Sequence, residues 1–333
     1  MSMTTAIHEP LTAWAKESFG QDAAISNLKR LSGGASQETW SFDLTDRGSV
    51  IELILRRAPI RSTSSAQSEA IGLTKEAGIL SALSELGVAT PTVKHLFQNH
   101  DTIGDGIVMN RVHGETLAKK ILKNPEFGEA RKRLPTDVAI ALAAIHQAPL
   151  SNLPDLPISS GSDQLKRYEA VYRDYGQERP VFELTMHWLK DHQPTPLPNQ
   201  LVHGDFRLGN LMVDQNGLSS VLDWELAHIG DPREDLAWLC VNSWRFGQSH
   251  HRVGGFGHLD QLLDAYNVKA STNIVESEID WWEMLGSFKW GVMCMTMYEA
   301  YRTGADPSVE RAAIGRRVSE TEIDMLNLIE GLN

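Results

Sequence analysis

The chain has 333 residues, a formal net charge of -12, 41% hydrophobic and 22% charged residues. That length suits two domains or one large two-lobed domain, with ample apolar content for a core. The acidic balance excludes a nucleic-acid binder that works through a broad basic face, and no stretch approaches the ~18 uninterrupted apolar residues of a membrane span. The two cysteines, Cys240 and Cys294, lie in apolar runs and cannot build a disulfide framework or a CxxC site. They read as buried free thiols in a reducing compartment. The first residues, "MSMTTAIHEPLTAWAKESFG", lack the apolar core of a signal peptide. The expectation is a cytoplasmic protein with no membrane or nucleic-acid partner.

Residues 9–20 pattern as a short amphipathic helix. "AISNLKRLSGGASQETWSFDLT" reads as strand, Gly-Gly turn, strand, and "SVIELILRRAP" as a third strand ending at Pro59. After the polar segment 61–70, apolar residues at Leu73, Ala77, Leu80, Leu83 and Leu86 recur at helical spacing, with Gly87 as C-cap. "TPTVKHLFQNH" and "GIVMNRVHGETL" read as two more strands. From there the pattern is helical over 116–148 and 162–192, interrupted by "SNLPDLPISSG". It becomes helical again over about 232–246, 258–267, 278–303 and 307–330. The first 110 residues are thus a small antiparallel β unit with one prominent helix. The segment 109–115, "MNRVHGE", is the expected hinge.

The chemistry concentrates in "LVHGDFRLGNLMVDQNGLSSVLDWELAHIGDPREDLAW", residues 201–238. Asn-Gly between apolar alternating runs signals a two-residue hairpin, because a type I′ turn needs positive φ at both central residues. With Asn216 and Gly217 as those residues, Asn210 is expected opposite Asp223, about 5 Å away at Cβ. A carboxylate and an amide oxygen so placed can share a hard divalent cation. Asp205, in the loop before the hairpin, can reach the same pocket. Phosphoryl transfer needs this set: one carboxylate to orient and deprotonate a hydroxyl, a second carboxylate and an amide to hold Mg²⁺ against nucleotide phosphates.

The residues "HGDFRLGN" at 203–210 and "LDWE" at 222–225 resemble the aminoglycoside phosphotransferase and choline-kinase-like family, relatives of the protein kinases. The resemblance implies an α+β, protein-kinase-like two-lobed fold. Residues 1–109 would form the nucleotide-binding lobe, 110–115 the hinge and 116–333 the helical lobe with the catalytic loop and substrate site. By resemblance Asp205 is the catalytic base, Asn210 and Asp223 are Mg²⁺ ligands, and His203 braces the loop. His-Gly-Asp stands where protein kinases have His-Arg-Asp, which favours a small-molecule kinase. Arg207 can meet an anionic substrate group or a phosphate, or pair with a structural carboxylate. Glu225 can assist the metal, face the substrate, or simply follow the strand. "DPRE" at 231–234 reads as Asp N-cap, Pro at N1 and Glu at N3, a capping box. Asp235 complements the dipole of that helix and, by resemblance, braces the catalytic loop.

The same resemblance assigns the nucleotide site. "LSGGASQETW" (31–40) is similar to the family's phosphate loop, with Gly33 and Gly34 in the turn and Ser36 and Gln37 at its tip. Arg56 takes the place of the third-strand Lys and pairs with Glu76 on the following helix. Arg57, on the opposite face of the strand, reads as a solvated strand end. Backbone groups near Met109–Arg111 would bind the adenine edge. The implied donor is ATP, with GTP as the alternative, and Mg²⁺ is the implied metal.

The acceptor is a small molecule with a hydroxyl. Trp282, Leu285, Trp290, Met293 and Met297 fall near helical spacing and read first as core packing, second as an apolar wall for an acyl substrate. The "SWRFG…GGFG…WW…KWG" pattern resembles a subgroup linked to acyl-CoA dehydrogenases, which implies a hydroxyacyl acceptor. An aminoglycoside or amino alcohol would instead use Glu278, Asp280, Glu283 and Glu299. An anionic substrate would use Arg245, Lys289, Arg302, Arg316 and Arg317. The rival from another class is a nucleotide-binding pseudokinase or regulatory module. The sequence sets no oligomeric state.

Overall fold

The structure is a computed structural model that describes residues 3–31, 37–58 and 70–331. In chain order its elements are α1 (Met3–Phe19), β1 (Ala24–Arg30), β2 (Glu38–Asp46), β3 (Ser49–Arg57), α2 (Leu73–Glu85), β4 (Val93–His100) and β5 (Gly104–Asn110). Then follow α3 (Ala118–Lys123), α4 (Gly128–His146), α5 (Gly161–Asp174), α6 (Pro180–Asp191), β6 (Gln200–Val202), β7 (Leu211–Asp214), β8 (Gly217–Val221) and β9 (His228–Gly230). The chain ends with α7 (Arg233–Trp238), α8 (Leu259–Ala270), α9 (Glu276–Arg302), α10 (Val309–Gly315) and α11 (Val318–Glu330).

The chain divides into two compact units. The first holds Met1–Gly114 with Pro149–Leu156 and Ser219–Ala227. The second holds Glu115–Ala148, Pro157–Leu218 and His228–Asn333. Two segments that the sequence reading placed with the helices, 149–156 and 219–227, therefore group with the sheet.

In the first unit five strands form one antiparallel sheet in the order β1-β2-β3-β5-β4. Successive side chains on a strand point to opposite faces. On β3, Leu53 and Leu55 point into a core shared with Ile7, Leu11 and Trp14 of α1. Ile54 points the other way, towards Leu73 and Ala77 of α2. Helix α1 starts earlier than the apolar spacing suggested, because Ile7 as well as Leu11 and Trp14 is buried against the sheet. Helix α2 stops in a Schellman turn. Gly87 takes φ 75°, its N–H reaches the Ser84 carbonyl, and Val88 N–H reaches the Leu83 carbonyl.

The alternation also corrects one expectation. Arg57 is not a solvated strand end but 4% exposed, on the face that α1 covers. Its Nε donates to Glu38 at 2.9 Å and its Nη1 to the Thr102 carbonyl at 2.8 Å. A covered face leaves a guanidinium no water, so a buried carboxylate and carbonyl must satisfy it.

In the second unit α9 is the central helix, packed against α5, α6, α7, α8, α10 and α11, while α4 packs on α8. Strands β6 and β9 pair antiparallel, Leu201 opposite Ile229. The predicted helix over 232–246 is shorter, ending at Trp238, and that over 307–330 is two helices, α10 and α11. Both cysteines are buried and free, and burial pushes the Cys240 thiol up to about 12. Among the described residues no helix is long and apolar enough to cross a membrane.

Small residues on α9 let its neighbours approach. A Cβ at Gly286 would lie 2.8 Å from Val241 Cγ2 and 3.2 Å from the Trp238 ring. Gly286→Ala is therefore expected to destabilise the protein by about 1–3 kcal/mol, since overpacking outweighs the gain in helix propensity. A thermal melt matching the unmodified protein would contradict this packing.

Candidate active site

The second unit builds a carboxylate-centred loop. Strand β6 ends at Val202 and delivers His203, Gly204 and Asp205. Gly204 takes φ 84°, a conformation that favours glycine. The loop is held from below by Asp235 on α7. One Asp235 oxygen accepts the His203 N–H at 2.7 Å and the other the Gly204 N–H at 3.0 Å. His146, at the end of α4, adds a bond from Nε2 at 3.1 Å, and its Nδ1 lies 2.8 Å from the Tyr266 hydroxyl. Asp235 and His146 are fully buried. His203 Nδ1 in turn accepts the Asp205 N–H at 3.2 Å.

Three side chains fix the Asp205 carboxylate. Trp238 Nε1 donates to Oδ1 at 2.8 Å, Asn210 Nδ2 to Oδ2 at 2.7 Å, and Arg207 Nε to both oxygens at 3.0 and 3.2 Å. A carboxylate offers about four lone-pair sites, so the group is oriented yet retains accepting capacity. Asn210 Nδ2 also donates to the Asp205 carbonyl at 2.9 Å. With its NH₂ so engaged, the Asn210 amide presents its oxygen to whatever lies beyond. Arg207 also stacks over the Trp244 ring, 5.0 Å from its centroid. The structure thus brings Asp205, Arg207 and Asn210 together.

The hairpin differs from the expected one. Strands β7 and β8 form a two-stranded sheet, but the turn falls on Gln215 and Asn216. Gly217 takes φ 128°, and Asn216 is not among the described residues with positive φ. The Asn216 N–H instead bonds to Asp214 Oδ1 at 2.6 Å, an Asx turn. Gly217 is required by a close approach, because a Cβ there would lie 2.0 Å from Asp137 Oδ2, which accepts the Leu218 N–H. Asn210 and Asp223 both lie outside the ladder, since β7 begins at Leu211 and β8 ends at Val221. The expectation that they oppose each other as ladder partners is therefore corrected.

The first unit assembles a second charged cluster. Arg56 ion-pairs with Glu76 on α2 through Nη1, and with Asp223 through Nη2 at 2.8 Å. Asp223 takes φ 66°, a left-handed conformation uncommon outside glycine and a frequent mark of functional strain. Gln37 Nε2 lies 3.5 Å from Glu225 Oε2. The other predicted phosphate-loop residues, Gly33, Gly34 and Ser36, lie outside the described residues. Burial pushes the Glu76 carboxyl up to about 7, with Asp223 and Glu225 adding to it and Arg56 opposing it. Burial opposes the charge on Arg56, but Glu76, Asp223 and Glu225 together hold its pKa above the ordinary arginine value.

A stability prediction follows with its sign. Glu76 binds its proton more tightly folded, about 7, than at its ordinary value of 4.5. The stability from this group is fully present below about 4.5 and is lost as pH rises through about 7. Glu76→Gln should remove that decline, a difference of about 1–3 kcal/mol between pH 5 and pH 8 in urea unfolding. Parallel stability–pH curves for the two proteins would contradict it.

At the predicted hinge, Met109 is buried in β5, opposite Ile54 and Val93. The Asn110 N–H bonds to the Thr92 carbonyl and the Arg111 N–H to the Glu52 carbonyl. Those two donors are already committed, to Thr92 and to Glu52.

The "DPRE" segment is not a capping box. Asp231 Oδ1 does accept the Arg233 N–H at 3.0 Å. Glu234, however, is 5% exposed and binds Gln164 at 2.5 Å, Lys289 at 2.9 Å and His228 at 3.1 Å. Burial alone would raise its pKa, but Lys289 and His228 hold it well below the usual carboxylate range. Lys289 is therefore part of a buried network. Arg245 and Arg252 similarly converge on buried Glu283, Arg252 also reaches Asp280 and Glu276, and Arg302 pairs with Glu299. Most of the acidic and basic residues considered as substrate contacts are thus engaged in ion pairs within the second unit.

Trp238 and His146 escaped the sequence reading as parts of this loop. Trp238 carried a faint signal in "DLAW", three residues beyond Asp235. His146 carried none, lying 89 residues away in sequence.

The family model described as the phosphotransferase enzyme family, APH, matches residues 27–268. The chain belongs to this phosphotransferase family. It is 29% identical over 225 residues to acyl-CoA dehydrogenase family member 10 of Mus musculus, covering 64% of this chain but only 20% of the mouse protein. It is 26% identical over 186 residues to an aminoglycoside 3'-phosphotransferase of Escherichia coli, covering 53% of this chain and 66% of that protein. A crystal structure from Ralstonia eutropha, classed with the aminoglycoside phosphotransferases, superposes with a TM-score of 0.75 at 21% identity, over 97% of this chain and 98% of that one. The fold is accordingly the protein-kinase-like α+β fold of this phosphotransferase family.

Proposed function

We propose that the chain is an ATP- and Mg²⁺-dependent kinase that phosphorylates a hydroxyl of a small molecule. The observation that carries this is the Asp205 carboxylate, oriented by Trp238, Asn210 and Arg207 on a loop anchored by Asp235. Asp205 orients the acceptor hydroxyl and takes its proton. Arg207 holds the carboxylate in place and offers positive charge beside it. Arg56, positioned by Glu76, binds nucleotide phosphates with Gln37, while Gly33, Gly34 and Ser36 are assigned to the phosphate loop by resemblance. The strand end at Met109–Arg111 receives the base.

Among the described residues no group of three or more His, Cys, Asp or Glu could hold a metal. Mg²⁺ uses one or two protein oxygens and completes its shell with phosphates and water. Asn210 and Asp223 are the proposed ligands. When bound, the ion neutralises charge on the transferred phosphoryl group.

The acceptor is proposed to be a hydroxyacyl compound. Support comes from the similarity to an acyl-CoA dehydrogenase family member. An aminoglycoside acceptor is the second reading, supported by the similarity to the Escherichia coli enzyme. A thermal-shift comparison of ATP and GTP, each with and without Mg²⁺, tests the donor. ATP should stabilise the protein in a Mg²⁺-dependent way, and Asp223→Ala should remove the Mg²⁺-dependent part. Stabilisation by GTP alone, or by neither nucleotide, would sink the donor assignment.

A further inference from the structure

Beside Asp205 runs a row of three indoles in the second unit. Trp238, bonded to Asp205, has its ring 5.4 Å from Trp244, and Trp244 lies 4.8 Å from Trp290 on α9. Guanidiniums stand over two of them, Arg207 at 5.0 Å from Trp244 and Arg317 at 6.0 Å from Trp290. Trp244 and Trp290 are each 7% exposed, and neither indole N–H has a hydrogen-bond partner. The hydroxyl oxygens of Ser243 and Ser287 are likewise buried without a partner. Buried donors without partners are rare in folded proteins, and a cluster of them points to a ligand or water that completes them.

The chemistry of the row is one-sided. Indole N–H and guanidinium groups donate and cannot accept. Both guanidiniums use Nε on a carboxylate, Arg207 on Asp205 and Arg317 on Glu320, with no bond from a terminal nitrogen to another described residue. Carboxylates in the same region are engaged already: Asp205 as described, Glu320 by Arg317 at 2.9 Å, and Asp324 by Asn242 at 2.8 Å. Arg207 and Arg317 are partly exposed, 27% and 34%. A ligand here must bring acceptor atoms, gains from negative charge, and lies beside indole rings, which suit an apolar stem.

We propose that Trp244, Trp290, Arg207 and Arg317 form the acceptor subsite beside Asp205, and that it selects a hydroxyl compound bearing an anionic group on an apolar stem. The proposal rests on the reading of Asp205 as the base. It sets a charge preference opposite to that of a polycationic aminoglycoside.

The test uses three probes of equal length: 6-hydroxyhexanoate, hexane-1,6-diol and 6-aminohexan-1-ol. Binding to the full chain with Mg·ADP is followed by tryptophan fluorescence, which needs no phosphoryl transfer. The hydroxycarboxylate should bind about tenfold more tightly than the amino alcohol, with the diol between them. Trp290→Phe, which keeps an aromatic ring and removes the N–H, and Arg317→Gln, on the partly exposed edge, should each weaken the hydroxycarboxylate about threefold to tenfold. Both variants should keep the thermal stabilisation by Mg·ADP. Equal or tighter binding of the amino alcohol overturns the proposal, as does absence of binding by all three at millimolar concentration. Unchanged affinity in both variants overturns it too. Loss of Mg·ADP stabilisation in the unmodified protein would instead count against the kinase reading itself.

Discussion

Asp205→Ala is expected to lower phosphoryl transfer by about 10²–10⁴-fold, the usual contribution of a positioned base. Stabilisation by Mg·ATP should persist, because the base touches the acceptor rather than the nucleotide. The substitution also releases Trp238 Nε1, Asn210 Nδ2 and Arg207 Nε from their common acceptor. A stability loss of about 1–3 kcal/mol is therefore expected beside the catalytic one. Asp205→Asn separates the two effects, since it keeps one acceptor oxygen but cannot take the hydroxyl proton. Its transfer rate should fall nearly as far as that of the alanine variant while its melting temperature stays closer to the unmodified protein. Near-normal turnover in both variants would show that Asp205 is not the base.

Asp235→Ala should have the larger effect on stability. Asp235 is fully buried, and its two oxygens accept the N–H groups of His203 and Gly204 and face His146 Nε2. Removing the carboxylate leaves two backbone donors and the His146 Nε2 without a partner in a dry interior, although Nδ1 keeps Tyr266. The expected cost is about 3–5 kcal/mol. Urea unfolding measures it directly. Because the anchored residues lead straight to Asp205, the folded fraction should also lose turnover through a disordered catalytic loop. A variant with unchanged unfolding midpoint would remove Asp235 from the role of anchor.

Local signals were readable where one strand or helix carries its own pattern. The five strands of the sheet, α2 with its glycine stop, and the order of the later helices follow from period and punctuation. The Arg56–Glu76 pair was legible through the resemblance, which puts a basic residue at the end of the third strand and a Glu on the helix that follows it. What escaped depends on partners distant in the chain. Arg57 looked solvated because nothing in β3 reveals that α1 covers its face. The Asn-Gly turn was placed one residue late, because the need for glycine at 217 comes from Asp137, far upstream. Glu234 fitted a capping-box pattern, yet Lys289 and Gln164 draw it into the interior. Of the indole row, Trp290 read first as core packing, since spacing alone cannot tell a buried ring from a buried ring with an unpartnered N–H.

The central claim is that this chain transfers a phosphoryl group to a small-molecule hydroxyl through Asp205. The most direct measurement is mass-spectrometric detection of phosphorylated product. Unmodified protein and Asp205→Asn would each be supplied with Mg·ATP and a panel of hydroxyacyl compounds, aminoglycosides, amino alcohols and sugars. The account predicts product with the unmodified protein, most strongly for hydroxyacyl compounds, and about 10²-fold less or none with the variant. Tight Mg·ATP binding with no product across the whole panel, or equal product from both proteins, would contradict it.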